Sequence, residues 1–205
     1  MRWNTDKRYL LELAQAGAAV IDTRLLPPGA QLEIPDAREF VLKPSIGASA
    51  QGARRFRREQ LAEATQHLAK LHASDLTVLA QPYLDRVDSG GETALLYFDG
   101  VYSHAIGKNA ILQPDQIEAT GMFAPENIFP RTPTQQQRAV ADHVLAALAR
   151  VRPSDAAPLY ARVDLLDDAD GNPRLLELEL AEPSLFFGHA AGSAERLIAC
   201  VRRRI

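Results

Sequence analysis

The stretch YARVDLLDDADGNPRLLELEL, residues 160–180, constrains the fold more than any other part of the chain. Charged and apolar residues alternate on both sides of Asp170-Gly171, a pair typical of a hairpin with a two-residue turn. With the turn there, Asp164 lies opposite Glu177. Two residues further out, Arg162 lies opposite Glu179. Because residues two apart in a strand share a face, these four charged side chains are predicted on one face. The other face is predicted to carry the core residues Val163, Leu165, Leu176, Leu178 and Leu180.

The charged face indicates a cation site, because directly opposed like charges destabilise a sheet by roughly 0.2–1 kcal/mol per pair. A divalent cation removes that penalty. Carboxylate oxygens suit Mg²⁺, with Mn²⁺ as the alternative ion. Arg162 can then contact the terminal phosphate of a nucleotide, because the guanidinium fork matches phosphate oxygens.

Two other interpretations of the hairpin stand beside the Mg²⁺ site. In the first, the charged face is solvated, and Arg162 and Glu179 form an ordinary cross-strand ion pair. In the second, a calcium loop begins at Asp168. Calcium is disfavoured, because Pro173 occupies the sixth position of that loop, where glycine is required.

Composition bounds the class of protein. The 205 residues are 46% hydrophobic, which suits one globular unit or a large and a small lobe. The chain carries 23 basic and 26 acidic residues, so there is no electrostatic case for nucleic-acid binding. The one cysteine, Cys200, excludes an internal disulfide. Since the sequence contains no long apolar run, we expect a cytoplasmic protein with no membrane contact.

Periodicity and turn residues predict a mixed α+β order of elements. The expected helices span 4–17, capped by Asn4 or Thr5, then 58–73, 132–151, capped by Thr134, and 193–205. The expected strands span 18–23, 39–44 and 76–84, with a hairpin over 92–108 that turns at Asp99-Gly100. The expected loops span 25–37, 45–56 and 109–133.

At this point the sequence resembles a known family. The pattern YARVDLL…LLELELAEPSLFF is similar to the C-terminal signature of the ATP-grasp superfamily, which has Arg-x-Asp on one strand and Glu-x-Asn or Glu-x-Glu on the next. The segments WNTDKRYL, GETALLYFDG and YSHAIGK are similar to a bacterial branch that includes a cycloserine-forming ligase. The resemblance implies an α+β ATP-grasp fold with the nucleotide between two lobes. The small lobe would span about 18–84, and the larger lobe about 85–205 with helix 5–17.

The resemblance also implies roles for the charged residues. It assigns phosphate contacts to Lys7, at the start of the first helix, and to Lys43, at the end of a buried strand. Lys108 lies near the transferred phosphoryl group, and Arg162 contacts phosphate. Metal binding is assigned to Asp164, Glu177 and Glu179.

The remaining nucleotide contacts implied by the resemblance come from three other segments. A glycine-bearing loop, 45–52, closes over the triphosphate and includes Ser45 and Gly47. A hinge, 80–84, bonds adenine through its backbone and includes Gln81, Tyr83 and Leu84. The acidic ribose contact is Glu92, with Asp88 near enough to compete.

The implied activity is an ATP- and Mg-dependent carboxylate–amine ligase that acts through an acyl phosphate on small-molecule carboxylate and amine substrates. Family members carry a further N-terminal domain, whereas MRWNTDKRYL starts almost at the nucleotide-binding region, so we expect that domain to be missing. The alternative is a truncated Mg-ATP-binding remnant without ligase activity of its own. A homodimer, or a partner that supplies the missing domain, is also expected.

Overall fold

The computed structural model of the protein describes residues 2–48, 50–112, 127–155 and 157–205. Within these ranges the strands form two antiparallel sheets. The smaller sheet has the order β1-β4-β2-β3, from β1 (Arg24–Leu26), β2 (Glu39–Pro44), β3 (Arg54–Arg57) and β4 (Val78–Pro82). The larger sheet has the order β7-β6-β5-β8-β9, from β5 (Glu92–Phe98), β6 (Val101–Lys108), β7 (Ile128–Pro130), β8 (Tyr160–Asp167) and β9 (Pro173–Glu179).

Helices cover one face of each sheet. The α-helices are α1 (Arg2–Thr5), α2 (Tyr9–Gln15), α3 (Leu61–His72), α4 (Val87–Gly90), α5 (Gln135–Val151) and α6 (Ser193–Arg202), with short 3₁₀ turns at Pro153–Asp155 and Phe187–His189. On the smaller sheet, α3 buries Leu68 against Phe40 and Phe56. On the larger sheet, α2 and α5 bury an apolar core that includes Leu10, Leu13, Val144, Leu148, Val163 and Leu178. These two layers confirm the α+β class.

Several predicted elements are confirmed. The strand over 39–44 is observed as β2, and the hairpin of β5 and β6 turns at Asp99 and Gly100, whose φ angles are 54° and 76°. Helix α5 begins as expected, because the Thr134 side chain accepts a bond from the Gln137 backbone and the Gln137 side chain accepts one from Thr134.

The first predicted helix is wrong in its continuity and in its cap. The chain leaves the helix after Thr5, turns, and starts α2 at Tyr9, so neither Asn4 nor Thr5 caps that helix. The Asn4 side chain instead donates to the carbonyl of Leu178 and accepts from the amide of Leu180. Tertiary bonds to the larger sheet thus replace a local cap.

The predicted strand over 18–23 is also wrong. Residues 19–26 run from the edge of the larger sheet to the edge of the smaller sheet. One part of the segment therefore pairs with each sheet. Val20 forms an isolated parallel bridge with Leu175 of β9, whereas Arg24–Leu26 pair with β4. The predicted loop over 25–37 therefore begins later, after β1.

Three smaller differences concern connections. The turn predicted over 45–56 ends earlier, because β3 begins at Arg54. The short helix α4 was not predicted. Part of the loop predicted over 109–133 is strand β7, and its residues 113–126 lie outside the described residues. No helix within the described ranges is long and apolar enough to cross a membrane.

The charged hairpin has the predicted register at its functional end but not at its turn. Arg162 pairs with Glu179 and Asp164 with Glu177, as expected. The connection, however, is the five-residue loop 168–172, because Asp167 pairs with Pro173.

Two features explain this geometry. The Asp168 carboxylate accepts the backbone N–H groups of Asp170 and Asn172, which stabilises the longer loop. A bulge between Asp164 and Leu165 then restores the register. As a consequence Leu175, not Leu176, joins the main core.

Tyr9 attaches α2 to the charged strand β9. Its buried hydroxyl donates to the carbonyl of Leu178 at 2.8 Å and accepts the Leu178 amide at 2.9 Å. We expect Tyr9→Phe to lower the free energy of unfolding by about 1–3 kcal/mol, because two buried backbone groups lose their partner. Urea unfolding measures the change. Tyr160→Phe, at a half-buried ring, is the control and should change stability by about 0.5 kcal/mol or less. Equal losses in the two variants would contradict the anchoring role.

Candidate active site

The larger sheet presents one row of charged side chains on the face opposite α5. Glu92 faces Lys108 across β5 and β6, and Asp164 faces Glu177 across β8 and β9. Ala94 pairs with Asp164, which places β5 directly beside the Arg-x-Asp strand. Strand pairing therefore brings together residues that are up to 87 positions apart in the sequence.

These side chains form a continuous ionic chain, which we call the charged row: Glu92, Lys108, Asp164, Arg162 and Glu179. Lys108 Nζ lies 2.5 Å from Glu92 Oε1 and 3.2 Å from Asp164 Oδ2. Arg162 holds Asp164 through Nε at 2.9 Å and Nη2 at 2.9 Å, and Nη2 also donates to Glu179 at 2.5 Å. The side chains of Lys108, Arg162 and Asp164 are 7%, 8% and 3% exposed, so water screens these pairs weakly.

Lys7 connects the charged sheet face to the glycine-bearing loop. Its Nζ lies 3.2 Å from Glu177 Oε1 and donates to the carbonyl of Gly47 at 2.7 Å. Its backbone N–H donates to the carbonyl of Ser45 at 2.7 Å, and the Ser45 amide donates to Thr77. The break between α1 and α2 is what allows Lys7 to reach both elements.

The site contains as many basic as acidic groups. Its basic side chains are Lys7, Lys43, Lys108 and Arg162, and its carboxylates are Glu92, Asp164, Glu177 and Glu179. Each of the four carboxylates is paired with a basic side chain. The expectation that opposed carboxylates on this face need a divalent cation did not include these basic residues, which the fold brings to them.

Burial and ion pairing divide the carboxylates into two kinds. Burial would raise the pKa of Asp164, but the charges of Arg162 and Lys108 outweigh it and hold that pKa at about 2. Burial dominates at Glu92 and Glu179 and raises the pKa of each to about 7 despite nearby cations. Asp164 is therefore the permanently ionised member of the charged row at neutral pH.

Lys43 is at the end of β2, beside the glycine-bearing loop. Burial lowers its pKa from 10.5 to about 8, although Glu177 acts in the opposite direction. A desolvated ammonium group interacts strongly with an anion that enters the site. Lys43 is thus suited to a phosphate contact.

The hinge residues belong to a second group, apart from the charged row. The buried Gln81 side chain donates to Thr23 Oγ1 at 2.8 Å, and the Tyr83 amide donates to the carbonyl of Glu39 at 2.9 Å. The Tyr83 hydroxyl donates to Asp88. Asp88 is therefore engaged at the hinge, whereas Glu92 is engaged with Lys108.

An apolar patch under the hinge was missed by sequence reasoning. Leu166 and Leu176 of the charged hairpin pack with Tyr83, Leu84 and Ile21, in a cluster completed by Val87 and Ala110. Leu176 faces this cluster because the bulge removes it from the main core. No sequence signal marked it, since the adjacent Leu175 and Leu176 fit the core pattern equally well.

The oxygen donors fit a hard cation in type but not in their present arrangement. Asp164, Glu177 and Glu179 supply carboxylate oxygens, which suit Mg²⁺. Each of the three is bonded to a basic side chain. Within the described part of the chain, no group of three or more His, Cys, Asp or Glu side chains is close enough to hold a metal ion. A metal therefore requires these pairs to rearrange.

Comparison with known proteins gives the family. No family model matches the chain. The cycloserine biosynthesis protein DcsG of Streptomyces lavendulae is 40% identical over 216 residues, covering 100% of this chain and 71% of that protein. The crystal structure of D-cycloserine synthetase DcsG superposes with a TM-score of 0.89 at 39% identity, over 99% of this chain and 71% of that one.

More distant solved structures share the fold. The D-alanine–D-alanine ligase from Bacillus anthracis, complexed with ATP, has a TM-score of 0.68 at 18% identity, over 98% of this chain and 65% of that one. The ATP-grasp ligase PsnB, complexed with a minimal precursor, Mg and ADP, has a TM-score of 0.63 at 20% identity, over 100% of this chain and 60% of that one. The two sheets are thus those of the ATP-grasp fold. The chain belongs to the ATP-grasp ligases, and its resemblance to the cycloserine synthetase extends over its full length.

Lys43 and Lys70 provide a matched pair for testing the phosphate contact. We expect Lys43→Ala to weaken ATP binding by about 1.5–3 kcal/mol, the value of a charge-assisted hydrogen bond. Lys70→Ala, at an exposed position on α3, should change binding by about 0.5 kcal/mol or less. Titration calorimetry with Mg-ATP measures both. Indistinguishable dissociation constants would refute the assignment of Lys43.

Proposed function

We propose that this ATP-grasp ligase joins a small-molecule carboxylate to an amine, with Mg²⁺ and through an acyl phosphate. The observation that carries the proposal is the ionic site, in which Lys7, Lys108 and Arg162 pair with four carboxylates and Lys43 ends β2 beside the glycine-bearing loop. Similarity to a cycloserine synthetase supports C–N bond formation. Relatives solved with ATP, or with Mg and ADP, support the nucleotide and the metal.

The nucleotide is proposed to bind between two lobes, a small one at about 18–84 and a larger one at about 85–205 with helix 5–17. The hinge residues Gln81, Tyr83 and Leu84 would border adenine, and Leu166 and Leu176 would form its apolar floor. The loop with Ser45 and Gly47 would cover the phosphates. The link from Lys7 to Gly47 supports this assignment, because it already holds that loop against the charged face.

Binding of Mg-ATP would exchange partners within the charged site. The basic side chains of Lys7, Lys108 and Arg162 would turn from carboxylates to phosphate oxygens, Lys43 would join them there, and Asp164, Glu177 and Glu179 would become free to hold Mg²⁺. When bound, Mg²⁺ supplies charge neutralisation at the phosphates. Every carboxylate of the site thus has a basic partner before binding, which avoids the cost of an unpaired buried carboxylate.

The proposed reaction has two displacements. A substrate carboxylate oxygen forms a bond to the γ-phosphorus as the bond from that phosphorus to the bridging oxygen breaks, which releases ADP. The amine nitrogen then bonds to the acyl carbon, phosphate leaves, and one proton passes from nitrogen to solvent. Lys108 and Arg162 would stabilise the negative charge on the transferred group. Their buried positions support that role.

The direct test is ADP release. We expect release to depend on Mg²⁺ and to rise when a matching amino-acid carboxylate and amine are added from a panel. Mg-dependent ATP binding without stimulation by any member of the panel would favour the nucleotide-binding remnant over the ligase. Absence of ATP binding in calorimetry would overturn the proposal as a whole.

Glu177→Gln tests the metal assignment. A ligand at 100 times its dissociation constant stabilises the folded protein by about 2.7 kcal/mol. We expect the melting shift from Mg-ATP to shrink in this variant, because one oxygen ligand loses its charge. Without ligand, the melting temperature should change little, since the Glu177 side chain is 27% exposed and its pair with Lys7 is partly solvated.

Glu33→Gln is the control, because Glu33 also pairs with a basic residue, Arg24, but its side chain is 70% exposed and is not among the proposed metal ligands. The ligand-induced shift should be unchanged there. A full shift in Glu177→Gln would remove that residue from the proposed metal ligands.

The ribose contact can be assigned with 2′-deoxy-ATP. We propose Glu92, because its partner Lys108 would turn to phosphate when the nucleotide binds, whereas Asp88 stays bound to Arg55 and Tyr83 at the hinge. We expect Glu92→Gln to reduce the preference for ATP over 2′-deoxy-ATP by roughly tenfold, the value of one lost hydrogen bond. Asp88→Asn should retain the preference. Dissociation constants for both nucleotides measure this preference in each variant. A preference that is lost in Asp88→Asn and kept in Glu92→Gln would assign the ribose contact to Asp88.

A further inference from the structure

Arg55 is buried against the hinge. It lies on β3, directly after the glycine-bearing loop, and its side chain is only 6% exposed. The guanidinium binds Glu39 with both arms of its fork, through Nε at 3.1 Å and Nη2 at 2.6 Å. Its third nitrogen, Nη1, donates to Asp88 at 3.1 Å. Its carbon lies 3.6 Å from the centre of the Tyr83 ring.

The same residues also bind one another. The Tyr83 amide donates to the Glu39 carbonyl at 2.9 Å, and the Tyr83 hydroxyl donates to Asp88. Arg55 therefore closes a ring of contacts that fixes both the backbone and the side chain of Tyr83. Only arginine can supply this combination, because lysine has neither a planar fork nor a flat face for stacking. We call Arg55, Glu39, Tyr83 and Asp88 the hinge clamp.

The clamp reaches the larger sheet as well. Asp88 is in α4, which ends at Gly90 and leads through Gly91 into Glu92 of β5. Gly91 has a φ of +68°, and a Cβ there would lie 2.5 Å from the Lys108 carbonyl oxygen. The segment that connects Asp88 of the hinge clamp to Glu92 of the charged row is thus short and sterically restricted.

We propose that Arg55 is a positioning residue that sets the preference of the site for adenine over guanine nucleotides. The inference rests on the proposed function, in which the backbone of residues 80–84 contacts the base. Adenine presents a donor at N6 and an acceptor at N1, whereas guanine presents an acceptor at O6 and a donor at N1. A backbone held in one position matches one of these patterns and leaves the other with unpaired groups.

The clamp determines which hinge groups are available to the base. Pro82 has no amide hydrogen, and the Tyr83 amide is committed to Glu39. If Arg55 is shortened or loses its fork, Tyr83 loses its stacking partner and Glu39 loses its bidentate partner. The hinge backbone then samples other positions, and guanine can be accommodated. The preference for adenine over guanine should therefore fall even in variants that remain folded.

The test measures dissociation constants of Mg-ATP and Mg-GTP by titration calorimetry for wild type, Arg55→Lys and Arg58→Lys. Arg58 directly follows β3, and its side chain is 49% exposed and pairs with Asp36, so its variant is the control. We expect the ratio of the GTP to the ATP constant to exceed one in wild type, to fall roughly tenfold in Arg55→Lys, and to stay unchanged in Arg58→Lys.

Tyr83→Phe and Asp88→Asn are second variants in case Arg55→Lys does not fold. Tyr83→Phe removes the hydroxyl bond to Asp88, and Asp88→Asn removes the charge that Arg55 contacts. Both keep the Arg55–Glu39 pair, so each should lower the ratio by a smaller factor. Circular dichroism checks that the variants are folded.

The outcomes separate the two levels of the proposal. If wild type does not bind ATP, the proposed function fails and the inference fails with it. If wild type prefers ATP and the folded Arg55 and Tyr83 variants keep the full preference, only the positioning role is overturned. A purely structural role would lower stability and weaken both nucleotides equally, leaving the ratio unchanged, which also overturns the inference.

Discussion

The ion pair between Arg162 and Asp164 is the interaction on which the rest of the site depends. Both side chains are almost completely buried, and an unpaired charge at either position would be strongly destabilising. Pairing extends from Asp164 to Lys108 and Glu92, and from Arg162 to Glu179. The larger sheet can hold this many charges on one face because they alternate in sign along the row.

The N-terminal segment couples this row to the nearby loop. Tyr9 binds the backbone of β9, and two residues earlier Lys7 pairs with Glu177 and the Gly47 carbonyl. Arg55, in turn, connects β3 to the hinge, where its guanidinium packs on the Tyr83 ring. The phosphate end and the base end of the proposed nucleotide site are therefore held by different basic residues, each in contact with a segment next to the glycine-bearing loop.

The electrostatics of the free protein have a consequence for ligand binding. Because each carboxylate of the site already has a basic partner before binding, affinity for Mg-ATP depends on the difference between two sets of ion pairs. Lys43 is the exception, since burial lowers its pKa to about 8. A phosphate beside it would raise that pKa again, because a nearby negative charge favours the charged ammonium. This distinguishes Lys43 from Lys108, whose pKa is raised because Asp164 and Glu92 outweigh the effect of burial.

The sequence by itself determined the α+β class, the strands that carry Lys43, Glu92 and Lys108, and the pairing of Asp164 with Glu177. Those features follow from local alternation and turn residues, which act over a few positions. The roles of the site residues remain predictions from family resemblance. Tertiary structure alone decided the break before α2, the bulge that turns Leu176 to the hinge, and the cationic partners of each carboxylate. The physical reason is that each depends on contacts between distant segments, such as Lys7 with Glu177 and Lys108 with Asp164, which no local pattern encodes.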